Sequence, residues 1–178
     1  MAALQQRTID LIRSHQEPLL AAWAGNLAGS SQAQDGRLSS RELDTQVREF
    51  WRLFLEAVSA TDVSSIARVE WQDIRRFLEE LSRERVLKGF NSSETASFIF
   101  SLKRPLFELI QQGYADDPAQ LGNQLWALSE LIDQLGLHTV SVFQKTREDV
   151  IQRQQEEMLE LSTPVVKLWE GVLALPMI

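Results

Sequence analysis

Residues 116–162 read DDPAQLGNQLWALSELIDQLGLHTVSVFQKTREDVIQRQQEEMLELS, and this stretch decides the fold. Asp117 before Pro118 is a helix start signal, because an acidic cap suits the positive end of the helix dipole and proline fits the first turn. Gly122 and Gly136 weaken the helix, but each costs only about 1 kcal/mol relative to alanine. The pattern therefore predicts one helix that continues to about Ser162 and extends well beyond a small globule.

The two halves of this predicted helix differ in composition. Its first half has a broad apolar face, which is typical of a helix packed on a core. That face consists of Leu121, Leu125, Trp126, Leu128, Leu131, Ile132, Leu135, Val140 and Phe143. Residues 144–160 are mostly charged or amide side chains with a thin apolar seam, made of Val150, Ile151, Met158 and Leu161. A narrow seam indicates a coiled-coil linker over 144–162 and a homodimer; a frayed, solvated helix end is the alternative.

Two capping boxes mark helix starts within residues 1–143. Ser39 with Glu42, and Asn91 with Glu94, have the spacing at which a side-chain oxygen and a carboxylate satisfy free backbone amides. Apolar residues follow both boxes at helical spacing, whereas period-two alternation is not sustained before the last fifteen residues. We therefore predict an all-α domain over 1–143.

Glycine and proline locate further helix ends. A helix is predicted from about Val63 to Leu87, with Gly89 taking the left-handed conformation that ends it. Pro18 predicts a second helical piece near the N-terminus, since proline is tolerated in a first turn. Pro105 lies inside an apolar pattern and predicts a kink there.

Composition and charge exclude several classes of function. The net charge of −7 argues against binding to a nucleic-acid backbone, which requires a basic face. No apolar run approaches the roughly 18 residues that cross a bilayer, and the N-terminus lacks the pattern of a signal peptide. Cysteine is absent, so no disulfide or thiolate zinc site forms. We expect a cytoplasmic protein that contacts neither nucleic acid nor membrane.

The sequence offers few residues for chemistry. Its two histidines, His15 and His138, are too far apart for a metal-ligand motif. His138 is the candidate haem ligand, although a hydrogen-bonded structural role is favoured for both histidines. Adjacent carboxylates such as Glu79 and Glu80 do not face each other on a helix. We expect no catalytic residue, no metal site and no cofactor, with a helical enzyme using buried carboxylates as one alternative.

The last segment, residues 163–178 (TPVVKLWEGVLALPMI), changes character. Pro164 ends the long helix, and the apolar residues after it predict two short strands. Such strands have no sheet to join within a helical domain. The segment is therefore interpreted as the start of a second, β-containing domain.

The sequence around the end of the long helix resembles that of a known family. The stretch from Arg147, REDVIQRQQEEMLELSTPVVKLWEGVLALPMI, resembles the junction in RsbR-type stressosome proteins, the RsbT co-antagonists, where a long helix runs into the first strands of a STAS domain. The preceding 140 or so residues resemble an RsbRD-type N-terminal domain. The resemblance implies a dimeric, globin-related sensory domain that usually lacks haem. It also implies that other stressosome proteins and a switch kinase bind through the STAS domain.

The predicted fold class is thus all-α, a globin-like helical bundle with a long C-terminal signalling helix. Residues 1–143 form the sensory domain, 144–162 the helical linker, and 163–178 the start of a truncated STAS domain. The predicted function is non-enzymatic: the domain receives a stress signal and passes it through a dimeric linker to the STAS output domain. The alternative is a haem-based gas sensor of globin type, which the absence of histidine from Ser39 to Tyr114 disfavours.

Overall fold

The computed structural model describes residues 4–29, 36–60, 63–161, 166–169 and 172–174. Its helices are α1 (Gln6–Ser14), α2 (Gln16–Ala28), α3 (Ser40–Ala60), α4 (Gln72–Leu87), α5 (Ser92–Phe100), α6 (Lys103–Gly113) and α7 (Pro118–Leu161). A 3₁₀ turn over Val69–Trp71 precedes α4, and two short antiparallel strands, β1 (Val166–Trp169) and β2 (Val172–Ala174), come after α7. The all-α class with a long C-terminal helix is confirmed, and so is the pair of short strands.

The first half of α7 forms the centre of the helical domain. It packs mainly against α4 and α5 and also contacts α6, while α1 and α2 pack on α6 and α2 packs on α3. Leu128, Leu131, Ile132 and Leu135 recur at helical spacing and are completely buried. Burial of each such side chain contributes about 1.5–3 kcal/mol. The helix is therefore fixed in the core along this half.

Aromatic side chains fill the space between α2, α3 and α5. The rings of Trp23, Phe50 and Phe98 contact one another, with centroid distances of 5.1–6.0 Å. The indole Nε1 of Trp23 also donates a hydrogen bond to Ser101 Oγ at 2.9 Å. Phe54 extends the cluster, stacking on Phe50 at 5.9 Å. Ordinary core packing thus accounts for these aromatic residues.

Both predicted capping boxes are present. The Ser39 amide donates to the Glu42 carboxylate at 2.8 Å, and the Glu42 amide donates to Ser39 Oγ at 3.2 Å. Asn91 and Glu94 exchange the same two hydrogen bonds, at 2.7 and 2.8 Å. Gly89 has a φ of 75° after the end of α4, as predicted for a helix stop.

The predicted helix over 63–87 is wrong in its first part, since α4 begins only at Gln72. Side chains from other elements bind the backbone of the preceding segment instead. The Arg75 guanidinium donates to two carbonyl groups there, and the Gln134 side chain of α7 accepts a hydrogen bond from the Ile66 amide at 3.1 Å. These long-range bonds replace the intrahelical ones, so the segment does not need a helical backbone.

The predicted kink at Pro105 is also wrong. α5 ends at Phe100 and α6 begins at Lys103, so the chain breaks into two helices. Pro105 lies in the first turn of α6, where its missing N–H would have no intrahelical partner. Pro18 occupies the equivalent first-turn position in α2, in agreement with the prediction.

The two glycines of α7 make a matched test of packing around this helix. A Cβ added at Gly122 meets nothing within 4 Å, whereas one at Gly136 would lie 2.3 Å from Cζ of Phe100. We expect Gly122→Ala to raise the free energy of unfolding by about 0.5–1 kcal/mol through helix propensity. Gly136→Ala should lower it by about 1–3 kcal/mol, because the Phe100 ring must move. Urea unfolding measures both; equal stabilisation by the two variants would contradict this packing.

Candidate functional site

The second half of α7 projects from the helical domain. The helix has 44 residues and is therefore about 66 Å long at 1.5 Å per residue. Up to residue 160, Phe143 is the last fully buried residue of the helix, and every residue from 151 to 160 is exposed. One continuous helix thus joins the core to a solvated extension.

Large apolar side chains lie exposed along both halves of α7. Trp126 is 70% exposed, Leu137 66%, Ile151 41% and Met158 70%. At about 100° per residue, all four lie within about 40° of the direction of Ile151 around the helix axis. We call this set the exposed apolar line. It spans about 48 Å of the helix at 1.5 Å per residue, from beside the core to the end of the extension.

The predicted seam coincides only in part with the exposed apolar line. Ile151 and Met158 belong to it. Val150 is half-buried and lies about 100° away around the helix. The side chain of Leu161 falls outside the described part of the chain.

Trp126 corrects the sequence interpretation, which placed it on the buried face of α7. It lies about 180° from the buried Leu135, since nine residues separate them. Leu137, which the sequence reasoning missed, lies about 180° from the buried Leu128 for the same reason. Projection on a helical wheel would have shown that both side chains point away from the core.

A buried polar cluster fixes the start of α7 to α1. Thr8 Oγ1 lies 2.8 Å from Tyr114 Oη and donates to Gln124 Oε1 at 2.7 Å. The Gln5 amide donates to the same Gln124 oxygen at 2.9 Å. Thr8, Tyr114 and Gln124 are all fully buried, so each of these hydrogen bonds satisfies a group that water does not reach. No sequence signal indicated this cluster, because its members are far apart along the chain.

A second polar contact holds the middle of α7 against α6. Lys103 Nζ donates to Asp133 at 2.7 Å and to Ser129 Oγ at 3.2 Å. The Gln134 hydrogen bond to Ile66 lies one residue further along α7. Polar contacts therefore connect α7 to its surroundings at several points along its length.

His138 lies on α7 beside α4. Its Nε2 is buried and has no hydrogen-bond partner within the described residues, which departs from the predicted hydrogen-bonded role. Burial lowers the pKa of His138 below its usual value of 6.5; Glu79 raises it and Arg75 lowers it by smaller amounts. Burial therefore favours the neutral form of the ring. His15 is exposed, with Nδ1 3.0 Å from the Leu11 carbonyl oxygen, in agreement with a structural role.

The aromatic core does not offer a slot for a haem. A porphyrin needs a flat apolar slot beside its ligand, and direct ring contacts of 5.1–6.0 Å fill the space between α2, α3 and α5. The charges that act on His138 come instead from Glu79 and Arg75 on α4. His138 is therefore placed by the structure at a helix contact and not at the aromatic centre.

The carboxylates lie on solvated faces. Glu79, Glu80 and Asp116 are exposed, and Asp116 pairs with Arg7 at 3.1 Å. Among the described residues no group of three or more histidine, cysteine, aspartate or glutamate side chains could hold a metal ion. A search of the same residues for helices long and apolar enough to span a membrane finds none.

Comparison with known proteins identifies the family of the helical domain. The family model described as the RsbT co-antagonist protein rsbRD N-terminal domain matches residues 17–158. That match runs from the start of α2 to Met158, so it includes both the packed half and most of the projecting half of α7. No curated protein and no solved structure matches the chain. The chain belongs to the RsbT co-antagonist rsbRD N-terminal domain family, and is a sensory, regulatory domain of the stressosome type.

Proposed function

We propose that the domain is a non-enzymatic sensor of a cytoplasmic stress-signalling protein, which passes its signal through a dimeric helical linker to a STAS output domain. The observation that carries the proposal is the exposed apolar line, which continues from the packed half of α7 onto its projecting half. A partner helix that covered the line would contact the sensory domain and the linker at once.

The geometry of α7 supports transmission along the helix. Its first half is held by α4, α5 and α6, and the same backbone continues without interruption into the extension. A change in packing around the buried half therefore shifts or rotates the whole of α7. Coupling of this kind requires a second arrangement of the helices that the signal stabilises.

The strands after α7 support the assignment of the output domain. Val166 of β1 pairs with Ala174 of β2 in an antiparallel register. An isolated two-stranded hairpin is only marginally stable in water, so membership of a larger sheet is favoured. We propose that these strands begin a STAS domain, through which other stressosome proteins and a switch kinase bind.

Disruption of the exposed apolar line should dissociate the proposed homodimer. Ile151→Asp and Leu137→Asp each place two like charges across a twofold interface, since one substitution appears in both subunits. We expect each to raise the dissociation constant about a hundredfold, which corresponds to roughly 2.7 kcal/mol. Analytical ultracentrifugation over a concentration series measures this constant.

Leu159→Asp is the matched control for these variants. Leu159 is as exposed as Met158 but lies about 80° from the direction of Ile151 around the helix. It should change dimerisation much less than Ile151→Asp. A wild-type protein that is monomeric at tens of micromolar, or equal effects of the three substitutions, would refute the proposed interface.

The filled aromatic core disfavours the alternative of a haem-based gas sensor. We expect protein purified from haem-supplemented cells to show no stoichiometric Soret band, and His138→Ala and His15→Ala to leave the helical far-ultraviolet spectrum unchanged. Visible absorption spectra of the three purified proteins measure the Soret band, and far-ultraviolet circular dichroism measures their helical content. A Soret band that is lost in His138→Ala and kept in His15→Ala would establish haem binding and overturn the expectation.

A further inference from the structure

A groove of about 500 Å³ lies between the corner that joins α1 to α2 and one side of α3. Its floor is apolar and includes the buried Leu20 and Trp51 and the half-buried Leu55. Pockets that bind small molecules commonly have about 300–1,000 Å³ and an apolar lining with a few polar groups. The groove therefore has the size and surface of a small-ligand site.

Two residues that line this groove, Trp51 and the exposed Arg13, have donors that are not fully paired. The indole Nε1 of Trp51 is buried and has no hydrogen-bond acceptor within the described ranges, although buried donors are nearly always satisfied. Arg13 donates to Ser59 Oγ at 2.8 Å and has no carboxylate partner in the described part of the chain. One exposed cation without an ion pair among the described residues and one unsatisfied buried donor thus belong to residues that line the same groove.

The remaining charges of the groove are already compensated. Arg48 pairs with Asp44 at 3.1 Å, and Arg52 pairs with Glu49 and Glu56 at 2.7 and 2.8 Å. The lining nevertheless contains three arginines and one glutamate, on a chain whose net charge is −7. An anionic ligand is therefore complementary to this groove and repelled by most of the remaining surface.

We propose that this groove binds a small organic monocarboxylate with an apolar body, which would be the signal if the domain is the sensor proposed above. The apolar body covers Trp51, Leu20 and Leu55, and the carboxylate accepts hydrogen bonds from Arg13 and from the Trp51 indole. A carboxylate supplies an acceptor for the indole and a counter-charge for Arg13.

Binding of this ligand is coupled to the aromatic core. Because Trp51 Nε1 is buried, the ring must turn for Nε1 to reach a carboxylate in the groove. Trp51 stacks on Phe54 at 5.7 Å, and Phe54 stacks in turn on Phe50. Occupancy of the groove therefore changes the packing of α3 on its neighbours, which gives the ligand a route to the rest of the domain.

Titration of the uniformly ¹⁵N-labelled protein with decanoate tests the proposal. The five tryptophans give separate indole N–H resonances, and Trp51→Phe assigns the one that belongs to Trp51. We expect decanoate to shift that resonance with a dissociation constant of the order of 1 mM, as ligand efficiency suggests for its size. The resonance of the exposed Trp126 should stay unchanged.

Matched probes and variants distinguish a carboxylate-binding site from non-specific binding to an apolar surface. Decanol has the same hydrocarbon chain without the charge and should bind at least tenfold more weakly. Arg13→Gln should raise the dissociation constant of decanoate about tenfold, since a charge-assisted hydrogen bond is lost. Arg104→Gln removes an exposed charge from α6, outside the groove, and should have no effect.

Three results would overturn the site: no shift of the Trp51 resonance, equal affinity for decanol and decanoate, or unchanged affinity in Arg13→Gln. Ultracentrifugation of the same samples measures dimer formation, so a failure of the ligand site can be distinguished from a failure of the proposed dimeric linker. A stable dimer that does not bind decanoate would refute the ligand site alone. A monomer that binds decanoate through Arg13 would refute the dimeric linker alone.

Discussion

Phe50→Ala is expected to lower the free energy of unfolding by about 3–5 kcal/mol, which is a large share of the roughly 5–15 kcal/mol that a domain of this size has. Phe50 is completely buried and its ring contacts four other aromatic rings, those of Trp23, Phe54, Phe77 and Phe98. Truncation removes these contacts and leaves a cavity that rigid aromatic neighbours fill poorly. The midpoint of urea unfolding measures the loss.

Two further variants make this result interpretable. Phe50→Leu keeps most of the volume and should cost less than about 1.5 kcal/mol. Leu87→Ala at the exposed end of α4 should stay within about 0.5 kcal/mol of the wild type. A loss below about 1 kcal/mol for Phe50→Ala would mean that the centre of the domain does not depend on this ring cluster.

Local signals in the sequence were sufficient to place most helix ends. The capping boxes at Ser39 and Asn91, the glycine at 89 and the acidic start before Pro118 act within one turn of the chain. Their effect is therefore the same in any fold that keeps those helices. The helix length followed from the apolar spacing and from the lack of a strong breaker before the segment at 163.

Long-range contacts explain where the sequence interpretation was wrong. The start of α4 moved to Gln72 because Arg75 and the distant Gln134 bind the backbone of the preceding segment. The buried cluster of Thr8 and Gln124 likewise depends on residues 116 positions apart. Periodicity reports which face of a helix is apolar, but it does not report which polar side chain meets which backbone group.

Only part of the exposed apolar line was predictable from the sequence. Ile151 and Met158 stood out because apolar residues are rare in the polar half of α7. Trp126 and Leu137 lie in the apolar half, where they were not distinguished from core residues until their direction relative to the buried leucines was known. The exposed line is therefore visible only when both halves of the helix are considered together.

A five-residue insertion after Gln154 is expected to abolish signalling in a protein that carries the proposed STAS domain, whereas a seven-residue insertion should largely preserve it. Each inserted residue rotates the downstream part of the helix by about 100°, so five residues leave the output domain about 140° out of phase. Seven residues fall only about 20° short of two full turns and restore the direction of Met158 relative to the rest of the exposed apolar line.

Comparing the two insertions separates the effect of helix rotation from the effect of helix length, because the longer insertion is predicted to be the less harmful one. Five residues add about 7.5 Å and seven add about 10.5 Å of helix. A flexible tether would accept both, since additional loop length costs little free energy. Far-ultraviolet spectra confirm that the inserted alanine, glutamate and lysine residues are helical, and release of the bound switch kinase under stress gives the signalling output. If both insertions left that output unchanged, the extension beyond Phe143 would be a passive tether; if the seven-residue insertion were the more harmful, length and not rotation would be transmitted.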